Sequence, residues 1–306
     1  MNAPALALRA GLGPQHLGLF RELGDLKRTT SAGQRGSTAT RLFERGWAAL
    51  ARGEALDEVA ARITAAAIAA ARLGDLDRAK LLELGLDERE TAEVLQRAFD
   101  EVSAPLDPSL SAWLHPALPL GAPETGTAPP FVALLAEQPR AGVTCPGKAR
   151  LMLLPAENHA EHSLAVAVYA VICAPAYNAD PALAFLAGMT HHLHSAAMPD
   201  SGFTGEMLLE PHLTRVIDHA RALAFAQLPA PLRAPTSTVL AEIATDVTPV
   251  ARAFHAADVI DRVLEIEQHL RRSEANMERV LNEFELVHAG PVKPFHDRVL
   301  EQVGLP

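Results

Sequence analysis

Residues 157–174 read ENHAEHSLAVAVYAVICA, and this stretch decides the fold. A polar head containing His159 and His162 runs into an apolar body rich in alanine and valine. Residues three apart share one face of a helix, so the spacing sets the two histidines side by side near a helix start. The most apolar part, Leu164 to Ala176, is about 13 residues, short of the ~20 that span a bilayer. The chain is therefore expected to be soluble, with no membrane partner.

Further helices are expected downstream at 180–194, 204–227, 236–246, 249–272 and 275–289, with a short one at 294–303. The start at 249 has the clearest signal, because Thr248 is a preferred N-cap and Pro249 suits the first helical position. Upstream, 142–154 (GVTCPGKARLMLL) is the one candidate strand. The segment 115–130 (HPALPLGAPETGTAPP) carries five prolines and is expected to be a linker at a domain boundary. Before it, Ser37 is read as capping a helix that runs to Gly53. Asp57 opens an Ala-rich helix stopped by Gly74, and Asp75 and Asp87 cap two more that end near Gly85 and Val102. The loop-like 31–37 (SAGQRGS) makes residues 1–36 a flexible arm. The expected class is all-α. The expected division is an arm (1–36), an N-terminal helical region (37–114), a Pro-rich linker (115–130) and a second helical domain (131–306).

Composition agrees with helices packed closely on small side chains: 57 of 306 residues are alanine and 5% are aromatic. The Ala-rich face at 56–73 suits helix–helix contact within the chain or between copies in a homo-oligomer. The formal charge of −10 argues against a nucleic-acid coat or an anionic membrane as partner. It is unevenly placed, with 17 Lys/Arg against 18 Asp/Glu in residues 1–150 and 10 against 19 in residues 151–306. Eleven of the thirteen histidines also fall in the second half, so a cation site is expected there. Cys145 and Cys173 form no disulfide framework or CxxC pair, and the N-terminus lacks a secretory signal, which points to the cytoplasm. Trp47 and Trp113 are read as packing anchors, and the pair Lys27-Arg28 as solvated. No phosphate-binding glycine loop and no GxSxG elbow is present.

Four clusters hold metal-competent side chains: Glu157 to Ser163 with His159 and His162; His191-His192-Leu193-His194; His212 and His219; and His255 with Asp258 and Asp261. Imidazole and carboxylate are the ligands that iron, manganese, cobalt and zinc take from a helical bundle. Taken singly, each histidine is better explained as a surface or satisfied interior residue than as a ligand. The adjacent pair His191-His192 at a helix end is harder to explain that way, with His194 turned elsewhere or drawn in by a distorted last turn.

In order and spacing these clusters resemble the HD-domain superfamily, a helical metal-binding fold with a motif of His, then His-Asp, then a distant Asp. Glu161-His162-Ser163 before Leu164-Ala165-Val166-Ala167 resembles the helix of the first histidine. Leu186-Ala187-Gly188-Met189-Thr190-His191-His192-Leu193 resembles the apolar run ending in the His-Asp pair, 29 residues on. Ala257-Asp258-Val259-Ile260-Asp261-Arg262 resembles the helix of the last Asp. The likeness covers roughly residues 155–270. It departs from the family at His192, which replaces the central Asp, and at Ser195, which replaces a frequent Lys.

The resemblance implies His162, His191, His192 and Asp258 as ligands of a divalent transition metal (Fe, Mn, Co or Zn). His159, His194, His212, His219 and His255 are candidates for holding a second ion or for orienting the first set. Asp200 and Glu206, in the turn after the triple histidine, are catalytic candidates, although turn initiation and helix-start preference explain them more simply. Arg215, Arg221 and Arg262 are candidates for binding a small anionic substrate. The implied activity is metal-dependent hydrolysis of a phosphate ester. A diiron oxygenase of the same superfamily and a non-catalytic helical scaffold are the alternatives.

Overall fold

The computed structural model describes residues 11–271 and 293–303, and these are all-α. The helices are α1 (Leu17–Asp25), α2 (Thr38–Ala51), α3 (Leu56–Leu73), α4 (Arg78–Glu83), α5 (Glu88–Val102), α6 (Pro108–Leu114) and α7 (Pro130–Glu137). They continue as α8 (His159–Tyr177), α9 (Pro181–Thr190), α10 (Gly202–Leu209), α11 (Leu213–Phe225), α12 (Ala230–Glu242), α13 (Pro249–Arg271) and α14 (Lys293–Val303). The chain divides into two compact units between Val263 and Leu264. In the second unit His269 Nε2 lies 3.1 Å from Glu265 Oε1, one helical turn away. The helix expected at 275–289 lies outside the described residues.

The core of the first unit is α8, whose side chains from His159 to Ala174 are all buried. At 19 residues it is long and apolar enough to cross a membrane, contrary to the sequence expectation, but most of it is buried inside the protein. Helices α2, α3, α7 and α9 pack against it. The contact with α9 is the closest, because Gly188 has no side chain: a Cβ there would sit 2.4 Å from the backbone of Ala167. Phe43, Trp47 and Phe131 form an aromatic patch between α2 and α7, with Trp47 edge-on to Phe131 at 4.9 Å. Such pairs add about 0.5–1.5 kcal/mol beyond their buried area.

Caps fix where the site helices begin. Asn158 accepts from the Glu161 amide at 2.9 Å while Glu161 Oε2 accepts from the Asn158 amide at 2.8 Å, so α8 starts at His159. The other Glu161 oxygen takes the Ser37 hydroxyl at 2.6 Å, and Ser37 itself caps α2. Burial pushes the Glu161 carboxyl up in pKa, against the pull of these bonds. Thr248 caps α13 through the Ala251 amide at 3.2 Å, as its sequence indicates. Asp77 rather than Asp75 caps α4; Asp75 instead pairs with Arg41 and Thr38.

Several expectations are corrected. The arm is structured from residue 14 onward: α1 buries Leu19, Phe20 and Leu23, and the Tyr169 hydroxyl of α8 donates to the Phe20 carbonyl at 2.5 Å. Residues 1–10 lie outside the described part. The Pro-rich segment is not a boundary, since helices on both sides of it belong to one unit. It turns as a 3₁₀ helix over His115–Leu120, buries Ala117 and Leu118, and is tied down by Arg62 bonds to the Gly121 and Ala122 carbonyls. Prolines in the first turn of a helix, as at Pro116 and Pro130, cost no hydrogen bond. No strand occurs among the described residues. The candidate at 142–154 is one isolated bridge, Val143 with Leu151, flanked by Gly142 at φ +75° and broken by Pro146-Gly147. The helix expected over 204–227 splits into α10 and α11 at Pro211, which has no amide to donate.

Candidate metal centre

Three helices bring the candidate ligands together. The first turn of α8 supplies His159 and His162, the end of α9 supplies His191 and His192, and the middle of α13 supplies Asp258 and Asp261. The ring nitrogens of His162, His191 and His192 that could bind an ion lie within 4.8 Å of one another. Asp258 Oδ1 is 3.3 Å from His162 Nε2. The sequence-derived set of four therefore converges in space. The α9 helix ends at Thr190, whose hydroxyl bonds back to the Leu186 carbonyl at 2.7 Å, so His191 and His192 occupy the turn rather than the helix body. The C-terminal end of a helix carries partial negative charge and favours a cation at this position.

Hydrogen bonds fix which nitrogen each ring presents. His162 Nδ1 lies 2.7 Å from Asp261 Oδ2, and His191 Nδ1 lies 2.7 Å from the Gly188 carbonyl oxygen. Each acceptor takes the Nδ1 proton, so Nε2 is the nitrogen each ring has left to offer, and in neutral His191 that atom bears a lone pair. Both Nε2 atoms are buried and accept no hydrogen bond. An unsatisfied buried polar atom costs about 1–3 kcal/mol, which an ion at this position would relieve. Three imidazoles and a carboxylate, with a second carboxylate orienting one imidazole from behind, are a donor set that fits a divalent transition ion.

The electrostatics agree. Burial, together with neighbouring imidazoles, pushes His191 and His192 well below the ordinary histidine pKa, so both are neutral and able to bind metal near pH 7. His194 is pushed down to about 4 by burial and by the charge of Arg221. Burial would raise the Asp258 carboxyl, but His162 beside it and the Arg262 guanidinium hold it well below the usual carboxylate range. Asp258 is thus ionised, and its Oδ2 takes Arg262 Nη2 at 2.7 Å.

Behind these ligands lies a group that sequence reading missed. Lys27, expected to be solvated, is 5% exposed. Its Nζ sits 2.6 Å from Glu157 Oε2, 2.7 Å from Asp261 Oδ1 and 2.9 Å from Asp261 Oδ2. Arg140 adds a second cation 3.5 Å from Glu157 Oε1, and its Nη1 is buried without a hydrogen-bond partner. Both carboxylates were visible in the sequence clusters, but their cation is 130 and 234 residues away along the chain.

The remaining candidates separate into two groups. His159 joins the cluster, with its ring 4.6 Å from His192 and its Nε2 3.5 Å from Asp200 Oδ2. His194 stands beside it, 5.5 Å from His192. Asp200 accepts from the Ala141 and Gly202 amides at 3.0 and 2.9 Å, which fixes the turn and places its carboxylate against His159. These bonds and His159 outweigh burial and keep Asp200 well below the usual carboxylate pKa. Arg221 pairs with Asp218 at 3.1 Å while its charge reaches His194. The others do not converge. His212 and His219 are exposed on and before α11, and His255 turns to the Thr245 carbonyl at 3.2 Å and packs on Phe254. Arg215 is exposed, and Glu206, on α10, makes no hydrogen bond or ion pair with the described cluster residues. Comparison with protein-family models, with curated proteins and with solved structures returns no match.

Proposed function

We propose that this chain is a metal-dependent hydrolase of a phosphate ester. The observation that carries the reading is the convergence of His162, His191, His192 and Asp258 with two buried imidazole nitrogens that lack a hydrogen-bond partner. The likeness of this order and spacing to the HD superfamily supports the same chemistry. These four residues would hold the ion. A bound ion of this class lowers the pKa of water and polarises a phosphoryl oxygen.

The chain's own residues supply the rest. Asp261 holds the His162 ring, and Gly188 holds His191. Asp200, fixed by two amides and held ionised, faces His159 at the edge of the set. Arg140, Arg221 and Arg262 bring positive charge around the cluster to offset an anionic substrate. The diiron oxygenase alternative draws on His159 and His194, which stand next to His192 with both His159 nitrogens and His194 Nδ1 buried without a hydrogen-bond partner. Loading the metal-free protein with Mn²⁺, Co²⁺, Zn²⁺ or Fe²⁺ and assaying a panel of phosphomonoesters decides between them. Metal-dependent phosphate release is the expected result. Two irons per chain with dioxygen uptake and no phosphate release would overturn it.

A further inference from the structure

Glu157, His162 and Asp261 form a second set of potential ligands, entirely buried, with donor atoms within 4.8 Å of one another. Two carboxylates and an imidazole this close would ordinarily demand a cation. Here the cation belongs to the chain: the Lys27 ammonium lies within 2.9 Å of both carboxylates and straddles the two oxygens of Asp261. We propose that Lys27 is the resident cation of a latent metal site, and that its side chain keeps a second ion out of the back of the cluster.

The geometry carries this in three steps. First, the ammonium sits between carboxylates that are 8% and 1% exposed, so bulk water and salt do not screen them. Second, Lys27 and Arg140 together balance Glu157 and Asp261, so this outer group needs no further charge while Lys27 is present. Third, Asp261 serves both sets, since one carboxylate meets Lys27 and also receives the His162 Nδ1 proton. A lysine at the C-terminal end of α1 thereby makes the N-terminal segment part of the site and acts as a positioning residue for His162. Removing the ammonium leaves a cavity faced by two hard oxygen donors, which suits a divalent ion. The inference rests on the metal-centre reading only for the inner set; the outer set stands on its own contacts.

The test is Co²⁺ binding by the full-length protein, counted by equilibrium dialysis and elemental analysis, for wild type, Lys27→Ala and Lys27→Ala with Glu157→Gln. Lys27→Ala is expected to hold one Co²⁺ more than wild type, and the double variant to lose that extra ion. The melting temperature of Lys27→Ala should also rise more on adding Co²⁺ than that of wild type, because the ion binds the folded state. If Lys27→Ala does not fold without metal, Co²⁺ is expected to restore its helical circular dichroism, and failure to do so overturns the proposal. An unchanged ion count in a folded Lys27→Ala also overturns it, and leaves the metal-centre reading intact when wild type binds cobalt. If wild type binds none and Lys27→Ala binds one, the inner-site reading fails and the latent site stands. If neither binds any, both fail.

Discussion

Replacing Gly188 by alanine probes the contact that positions half of the cluster. The new methyl would lie 2.4 Å from both Cα and N of Ala167 and 2.8 Å from its Cβ. Carbon atoms rest at about 3.5–4.0 Å, so α8 and α9 must part by about 1 Å. The obstacle is backbone, which cannot rotate aside, and this puts the cost at the upper end of the ~1–3 kcal/mol typical of overpacking. Alanine returns ~1 kcal/mol through its better helix propensity, leaving a net loss of about 2 kcal/mol. For a unit of this size that lowers the Tm by about 4–8 °C. The Gly188 carbonyl also holds the His191 ring, so a shift of this size should weaken Co²⁺ binding by about 10-fold or more. Thermal melts of the metal-free protein and a Co²⁺ titration measure both effects. Gly18→Ala on α1, where a methyl meets nothing within 4 Å, is the control and should lose nothing. A Gly188→Ala variant that melts and binds Co²⁺ like wild type would refute the close α8–α9 packing and its link to the site.

Asp261→Asn removes the carboxylate charge behind His162 Nδ1 and one of the charged partners of Lys27. It should cost about 3–5 kcal/mol in urea unfolding and weaken metal binding 10–100-fold. Stability should fall with acid above the carboxylate range. His159, His191, His192 and His194 all titrate below the unfolded value near 6.5, His194 at about 4, so the unfolded chain binds more protons between those limits. The Tm should therefore hold steady above pH ~6.5 and drop from there toward pH ~4; a flat profile between pH 7 and 5 would contradict the burial of these rings. His212→Ala and His219→Ala should leave metal content and affinity unchanged, and loss of an ion in either would show that α11 contributes a ligand.

The inner ligands were legible because each carries a local signal. His191 and His192 follow an apolar run that must end somewhere, and His162 stands where a polar helix start meets an apolar body. Periodicity, however, tells which residues share a face and not what that face meets. His212 and His219 share a face that α11 turns to solvent, and His255, one turn before Asp258, points to the Thr245 carbonyl instead. The outer group was illegible for a different reason. Lys27, one of the basic pair Lys27-Arg28, follows a short helix interrupted by Gly18 and Gly24, and nothing near it in sequence shows that two carboxylates will be brought against it. The loop-like 31–37 made α1 look like part of an arm, although Leu19, Phe20 and Leu23 repeat at helical spacing. Proline density misled similarly at 115–130, where prolines sit at turn and helix starts that tolerate them.

The central claim is that α8, α9 and α13 assemble a metal centre, and elemental analysis of the purified protein tests it most directly. Wild type is expected to carry at least one equivalent of a divalent transition metal per chain after loading. His191→Ala and Asp258→Ala variants that keep the wild-type helical content are expected to carry none. A wild-type protein that takes up no metal under any loading condition, or variants that retain it in full, would contradict the account.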